Sequence, residues 1–242
     1  MRYGIFSDIH SNLEALHACL AAFEKESIDK YLCIGDVVGY GANPGECINK
    51  VREISAFTCA GNHDWASVNL FPLDRFNPYA KEAVIWTKNN LLESGRVFLE
   101  SLKLIFEDNE ITLVHGTLDH PNEFNYLTDA YIAEETFKLM NTHVCFVGHT
   151  HNPGIFSKDS RGHIYYRKEN QMYLNDIDSY IVNVGSVGQP RDGNPDAAFC
   201  IYDTQKRSLE IKRVSYDIKS ARSKIIDSGL PRFLGDRLIS GR

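Results

Sequence analysis

The chain has 242 residues, of which 43% are hydrophobic and 24% charged, and its formal net charge is −6. That length suits one large domain or two small ones with a substantial core, and the composition is that of an ordinary globular protein. The negative balance argues against an extended electrostatic grip on DNA or RNA, yet leaves room for a small phosphate-bearing substrate if a metal supplies positive charge locally.

Cys19, Cys33, Cys47, Cys59, Cys145 and Cys200 are scattered, mostly in apolar runs and without a CxxC pair, so they read as buried reduced thiols. The opening MRYGIFSDIH enters a strand-like run with no apolar stretch before a cleavage site. No apolar run reaches the roughly 18 residues that span a membrane. The expectation is a cytoplasmic protein with no membrane partner.

In chain order, Tyr3 to Ser7 reads as a strand and Asn12 to about Lys25 as an amphipathic helix with Leu13, Leu16, Leu20 and Phe23 on one side. A strand at Tyr31 to Ile34, a helix around Gly45 to Glu53 and a strand at Ala56 to Ala60 complete a β-α-β-α-β opening, which predicts a parallel, helix-covered sheet. Helices follow around Tyr79 to Leu92 and Arg96 to Leu102, then strands near Leu104 to Glu107 and Ile111 to Val114. A helix near Ala130 to Met140 leads to a strand at Val144 to Val147.

From Gly154 the pattern changes to short alternating segments at Ile155–Ser157, Ile164–Arg167, Tyr180–Val184, Ala198–Tyr202 and Leu209–Val214. These predict a second, largely antiparallel layer, with a terminal helix near Ile218 to Ile226. Leu230, Phe233, Leu234 and Leu238 form an apolar stripe in a basic tail, either local packing or a subunit contact. With no repeat, low-complexity stretch or clear linker, the whole of 1–242 reads as a single domain of two stacked sheets, its helical tail covering about 217–242.

The chemistry sits at the strand ends. Asp8-Ile9-His10, Gly35-Asp36, Gly61-Asn62-His63-Asp64, His115-Gly116 and Gly148-His149-Thr150-His151 each follow a predicted strand. Side chains two apart in an extended segment point the same way, so His149 and His151 converge on one spot. In open α/β sheets, ligands bind beyond the carboxyl ends of the strands. Each motif has a structural reading: Asp8 can cap a helix, GD and GN are turn dipeptides, and His115 can be a hydrogen-bonded core histidine. Together, unpaired and buried, the groups would cost too much desolvation, and a shared cation removes that cost.

Asp8, His10, Asp36, Asn62, His115, His149 and His151 make seven donors, too many for one tetrahedral ion. Two five- or six-coordinate ions sharing a carboxylate would use them all. Oxygen and imidazole donors without thiolate suit manganese, iron, nickel, cobalt or zinc better than calcium, magnesium or copper(I).

The series DxH, GD, GNHD, H and GHTH, in this order from Asp8 to His151, resembles the calcineurin-like metallophosphoesterase superfamily, and NVGSVGQPRDG at 183–193 is similar to its small bacterial and archaeal members. The resemblance implies a four-layer α-β-β-α sandwich and a two-metal centre. It implies Asp8, His10, Asp36 and His151 around the first ion, and Asp36, Asn62, His115 and His149 around the second, with Asp36 as bridge. It also gives His63 the task of protonating the leaving oxygen or stabilising the charge that develops there. The other reading of His63 is a turn histidine. Asp64 either orients His63 or caps the next helix.

Protein phosphatases of this superfamily carry GDxVDRG, whereas here Gly39 and Tyr40 stand in place of its second Asp and its Arg. Arg191 can supply a replacement phosphate contact, Tyr40 a face for a nucleobase, and His120 can overhang the site. His17, His143 and His163 have no motif context. The expected activity is hydrolysis of small phosphodiesters or phosphomonoesters, nucleotides and dinucleoside polyphosphates among them. Protein dephosphorylation and a non-catalytic metal-binding scaffold are the alternatives.

Overall fold

The computed structural model describes residues 1–54 and 56–242. Among the described residues, twelve strands form two six-stranded mixed sheets. The first begins with β1 (Arg2–Phe6), β2 (Lys30–Cys33) and β3 (Phe57–Thr58), paired in parallel. Their crossovers are α1 (Leu13–Phe23), capped by the Asn12 side chain on Ala15 N at 3.1 Å, and α2 (Pro44–Glu53), which has proline in its first turn where the missing N–H costs nothing. The β-α-β-α-β opening is therefore as the periodicity predicts. The strand expected at Ala56 to Ala60 forms a ladder over only two residues. Beyond it Cys59 makes an isolated parallel bridge to Lys103, and Ala60 N donates to Lys103 O at 2.8 Å.

α3 (Asn62–Ser67), α4 (Pro78–Asn90) and α5 (Glu93–Ser101) precede β4 (Ile105–Glu107) and β5 (Ile111–Val114). α6 (Ala130–Leu139), capped by Asp129, leads to β6 (Val144–Val147). Then come β7 (Gly154–Lys158), β8 (Ile164–Arg167), β9 (Gln171–Tyr173), β10 (Ser179–Asn183), β11 (Ala197–Asp203), β12 (Ser208–Val214), α7 (Ile218–Asp227) and α8 (Arg232–Ser240). The strands after Gly154 do not make a separate layer. β7, β8 and β10 extend the sheet ordered β4-β5-β6-β10-β7-β8, while β9, β11 and β12 complete the order β3-β2-β1-β11-β12-β9. The alternation marks a half-buried strand but carries no information on which sheet receives it. β9 is too short and exposed to signal itself.

Four layers follow from the core. Leu16, Cys19, Phe23, Ile48, Val51 and Leu99 pack from the helices onto one sheet. Ile5, Leu32 and Ile34 meet Leu113, Phe146 and Val182 between the sheets, and α6 covers the outer face through Ala133 and Phe137. All six cysteines are free and buried. Leu230, Leu234 and Leu238 bury within the chain against Tyr40, Ala80 and Ala83, so this part of the tail stripe is packing rather than a subunit contact. Phe233 alone turns outward, stacked on Tyr79 at 4.8 Å. No helix among the described residues is long and apolar enough to cross a membrane.

Candidate metal centre

The carboxyl ends of β1, β2 and β3 in one sheet and of β5 and β6 in the other open on one edge. There the backbone is held in an uncommon conformation. Asp8, His10, Asp36, His149 and His151 have φ of 54°, 48°, 51°, 65° and 59°, in the left-handed region. Each such residue costs on the order of 1–3 kcal/mol unless its surroundings impose it. Here the loops lock one another, as Asp8 N donates to Gly35 O (3.0 Å), His10 N to Asp36 O (2.9 Å) and Gly148 N to His115 O (3.0 Å). The glycines of GNHD and GHTH clear space for carboxylates. A Cβ on Gly61 would lie 2.1 Å from Asp36 Oδ1, and one on Gly148 would lie 2.1 Å from Ser7 Oγ and 2.6 Å from Asp8 Oδ2.

Each carboxylate is split between two tasks. Asp8 Oδ2 accepts from His149 N (3.0 Å) and Asp36 Oδ1 from His63 N (2.9 Å). Their other oxygens, Asp8 Oδ1 and Asp36 Oδ2, are buried without a hydrogen-bond partner, as is Asn62 Oδ1. The histidines are oriented in the same manner. Nδ1 of His10 donates to Val38 O (3.1 Å), Nδ1 of His115 to Ile34 O (2.8 Å) and Nδ1 of His151 to Gln189 O (2.6 Å). Such a bond fixes the tautomer and leaves Nε2 as the free donor.

The free atoms converge. His10 Nε2 and His151 Nε2 stand 3.1 Å apart, and Asp8 Oδ1 is 3.7 Å from the first and 3.2 Å from the second. Asp36 Oδ2 is 3.6 Å from His10 Nε2 and 3.3 Å from His115 Nε2, which lies 3.1 Å from His149 Nδ1. In the neutral forms set by the carbonyls, the Nε2 atoms of His10 and His151 turn lone pairs on each other beside an unpartnered carboxylate oxygen. Water has no room to separate them, and a cation satisfies all three. Two groups, Asp8–His10–His151 and Asp36–His115–His149, can each hold a metal ion, and His10, Asp36 and His63 are also within reach of one another.

The electrostatics agree. Burial pushes His10 and His149 well below the usual histidine range and also lowers His151, so these rings stay neutral donors. Burial opposes ionisation of Asp8 and Asp36, but His151 pulls Asp8 down, and His115 does the same to Asp36. His115 goes the other way. Burial disfavours its charge, yet Asp36 raises it to about 9. The paired carboxylates thus demand a positive partner, whether a proton or a cation.

Around this centre, His63 is buried, with its ring 4.8 Å from that of His10 and its Nδ1 without a partner. Burial lowers it to about 4. Asp64 does not orient it. The Asp64 carboxylate accepts from Val38 N and Gly61 N, both at 3.1 Å, closing the start of α3 and tying it to the Asp36 loop. Capping is thus the role the structure gives Asp64. Its carboxyl is raised to about 8 by burial and by Asp36.

Tyr40 offers no open face, being only 7% exposed, with His10 at 4.5 Å, His63 at 4.4 Å and the Arg191 guanidinium 5.6 Å over its ring. Arg191 reaches Tyr40 Oη at 3.3 Å and Gln189 Oε1 at 2.8 Å, which brings a cation back beside the position where the phosphatase pattern would have one. His120 pairs with Asp119 at 2.8 Å on a side chain 69% exposed, and contributes nothing buried to the centre.

Three contributors were not legible from sequence. Tyr126 stacks on His149 at 3.9 Å, Asn183 Nδ2 holds Gly148 O at 2.7 Å, and the Gln189 carbonyl fixes His151. The NVGSVGQPRDG stretch contained two of them, and no local pattern marks Tyr126.

Comparison with known proteins gives the family. A protein of Methanocaldococcus jannaschii is 41% identical over 242 residues, covering 98% of this chain and 97% of its own length. The crystal structure of a metallophosphoesterase from Sphaerobacter thermophilus superposes with a TM-score of 0.88 at 37% identity, covering 100% of this chain and 99% of that one. A hypothetical protein from Pyrococcus horikoshii shares the fold at 22% identity and a TM-score of 0.81, covering 100% and 98% of the two chains. The calcineurin-like phosphoesterase superfamily domain matches residues 1–207, and the chain belongs to that family.

Proposed function

We propose that this protein is a dinuclear divalent-metal phosphoesterase that hydrolyses small phosphodiesters and nucleotide-type esters. The observation that carries the reading is the 3.1 Å approach of His10 Nε2 and His151 Nε2 beside the unpartnered oxygens of Asp8 and Asp36. Manganese, iron, nickel, cobalt or zinc fits an oxygen and imidazole donor set. We assign Asp8, His10, Asp36 and His151 to one ion, and Asp36, Asn62, His115 and His149 to the other. Such a pair supplies charge for the phosphoryl oxygens and a nucleophile at neutral pH.

The chain's own residues do the rest. Asp36 ties the two groups together, since its free Oδ2 faces both His10 and His115. His63, neutral at pH 7, serves the leaving oxygen as a hydrogen-bond donor and steadies the charge developing there. Arg191 and Tyr126 flank the centre, the first offering charge to phosphate and the second covering His149. With Gly39 in place of the phosphatase Asp, and the cation supplied by Arg191 rather than from position 40, the site favours small substrates over phosphoproteins. We place the protein in the cytoplasm.

The test is metal reconstitution followed by side-by-side kcat/KM on bis(p-nitrophenyl) phosphate, nucleotide esters and a phosphoserine peptide. Preference for the first two supports the reading. Preference for the peptide overturns the substrate class, and no hydrolysis of any ester overturns the reading itself.

A further inference from the structure

The segment 186–191 is fastened to two members of the Asp8–His10–His151 group. Gly188 N donates to Asp8 O at 2.9 Å, and Ser186 Oγ donates to the same oxygen at 2.8 Å. A Cβ on Gly188 would lie 1.8 Å from Ile9 O, so only glycine lets the two loops approach this closely. His151 is gripped from two sides. Its Nδ1 donates to Gln189 O at 2.6 Å, and its own carbonyl accepts from Arg191 N at 3.3 Å. The side chains of Gln189 and Arg191 therefore start from backbone that is fixed relative to Asp8 and His151.

These two side chains are joined to each other and left incomplete. Arg191 Nη2 donates to Gln189 Oε1 at 2.8 Å and to Tyr40 Oη at 3.3 Å, and the Tyr40 ring lies 4.5 Å from that of His10 and 4.4 Å from that of His63. Both acceptors are neutral, so they do not cancel the charge of Arg191. Gln189 is 1% exposed, yet among the described residues its Nε2 has no hydrogen-bond partner, and the buried Nε of Arg191 has none either. A buried donor without an acceptor is costly, and leucine in the same space would avoid that cost. Two unspent donors and an uncancelled positive charge, hung from the backbone that holds His151, make a receptor for an anion.

We infer that Gln189 is a phosphate-binding residue: its Nε2 donates to a phosphoryl oxygen while its Oε1 holds the Arg191 guanidinium for the same group. This rests on the phosphoesterase reading and names the residue that, with Arg191, grips the phosphoryl group independently of the metals.

The test is calorimetric binding of inorganic phosphate to the metal-loaded full chain and to Gln189→Leu, Gln189→Glu, Arg191→Ala and the Gln189→Leu/Arg191→Ala double variant, with metal content measured in each. Gln189→Leu should keep the metals and weaken phosphate by about 10–100-fold, as the loss of a hydrogen bond to a charged group implies. Gln189→Glu keeps an acceptor for Arg191 but exchanges the donor for a negative charge, so it should bind phosphate more weakly still. Because Gln189 also holds Arg191, the double variant should lose less than the product of the two single losses. Phosphate affinity that is unchanged in Gln189→Leu overturns the inference, and so does a parent that binds no phosphate. Loss of the metals in both Gln189 variants would make the side chain packing behind His151 and overturn it as well. If Gln189→Leu loses its native circular dichroism, the near-isosteric Gln189→Glu decides, and parent-like affinity there overturns the inference. The expected pattern without hydrolysis of any ester would sink only the phosphoesterase reading. Hydrolysis with phosphate affinity indifferent to Gln189 would sink only this inference.

Discussion

His10 Nε2 and His151 Nε2 face each other at 3.1 Å, each ring pinned from behind by a backbone carbonyl, so neither can turn its proton inward without breaking a buried hydrogen bond. Asp36 adds its free oxygen to this group and to the one around His115. Asp36→Asn should therefore weaken metal binding in both groups together. Element analysis after reconstitution should find about two ions per parent chain and far fewer in the variant, following two-metal logic. Loss of only one ion would show that the groups are independent.

His63→Ala should keep the metals and lose rate by about 10²–10⁴-fold on esters with poor alcohol leaving groups. The loss should shrink for nitrophenyl esters, whose leaving oxygen needs little help. An unchanged rate on the poor leaving group would refute the role.

Gly39 offers a second route to the same ring. It has φ of +97°, and a Cβ there would stand 2.4 Å from His63 Nδ1. Gly39→Ala should thus displace His63 and reproduce the His63→Ala profile with metal content unchanged. Full activity in Gly39→Ala would mean that the position of His63 does not matter.

How much of this was legible in the sequence follows from the physics of each signal. The strand-end motifs could be read because DxH, GD, GNHD and GHTH combine a tight turn with donors of one chemical kind, and local spacing alone puts them at strand ends. The assignment of β10 and β11 to different sheets depends on long-range pairing with β6 and β1, which periodicity does not encode. α3 spans six residues, too few for a helical repeat to show. The sequence suggests Tyr40 as an open stacking face, because an aromatic after a glycine gives no hint that His10, His63 and Arg191 enclose it. Tyr126 and Asn183 act only through tertiary contacts with the GHTH loop, so nothing local identifies them.

Arg191→Ala should lower kcat/KM by about 10–100-fold for phosphate-rich nucleotides, the value of a hydrogen bond to a charged group. Bis(p-nitrophenyl) phosphate should suffer less. Equal losses on both would assign Arg191 to packing over Tyr40 instead.

Away from the centre, Glu26 joins Arg2 at 2.5 Å and also Lys212, linking the end of α1 to β1 and β12. The hydrogen bond from Lys212 is the main cause that holds its carboxyl below the ordinary 4.5, against a smaller opposing effect of burial. A carboxyl lowered in the folded state adds stability above its unfolded value and loses it as pH falls through the folded one. Glu26→Gln should cost on the order of 1 kcal/mol at pH 7, and the gap to the parent should close in strongly acidic buffer. Urea denaturation at the two pH values checks this, and a gap that stays constant would contradict it.

We propose that two cations held by Asp8, His10, Asp36, Asn62, His115, His149 and His151 perform phosphoester hydrolysis. The most direct test is titration of metal-free protein with manganese while following hydrolysis of bis(p-nitrophenyl) phosphate. Activity is expected to rise and reach its plateau at about two ions per chain, as a two-metal centre requires. A plateau at one ion, or no hydrolysis at any loading, would contradict it.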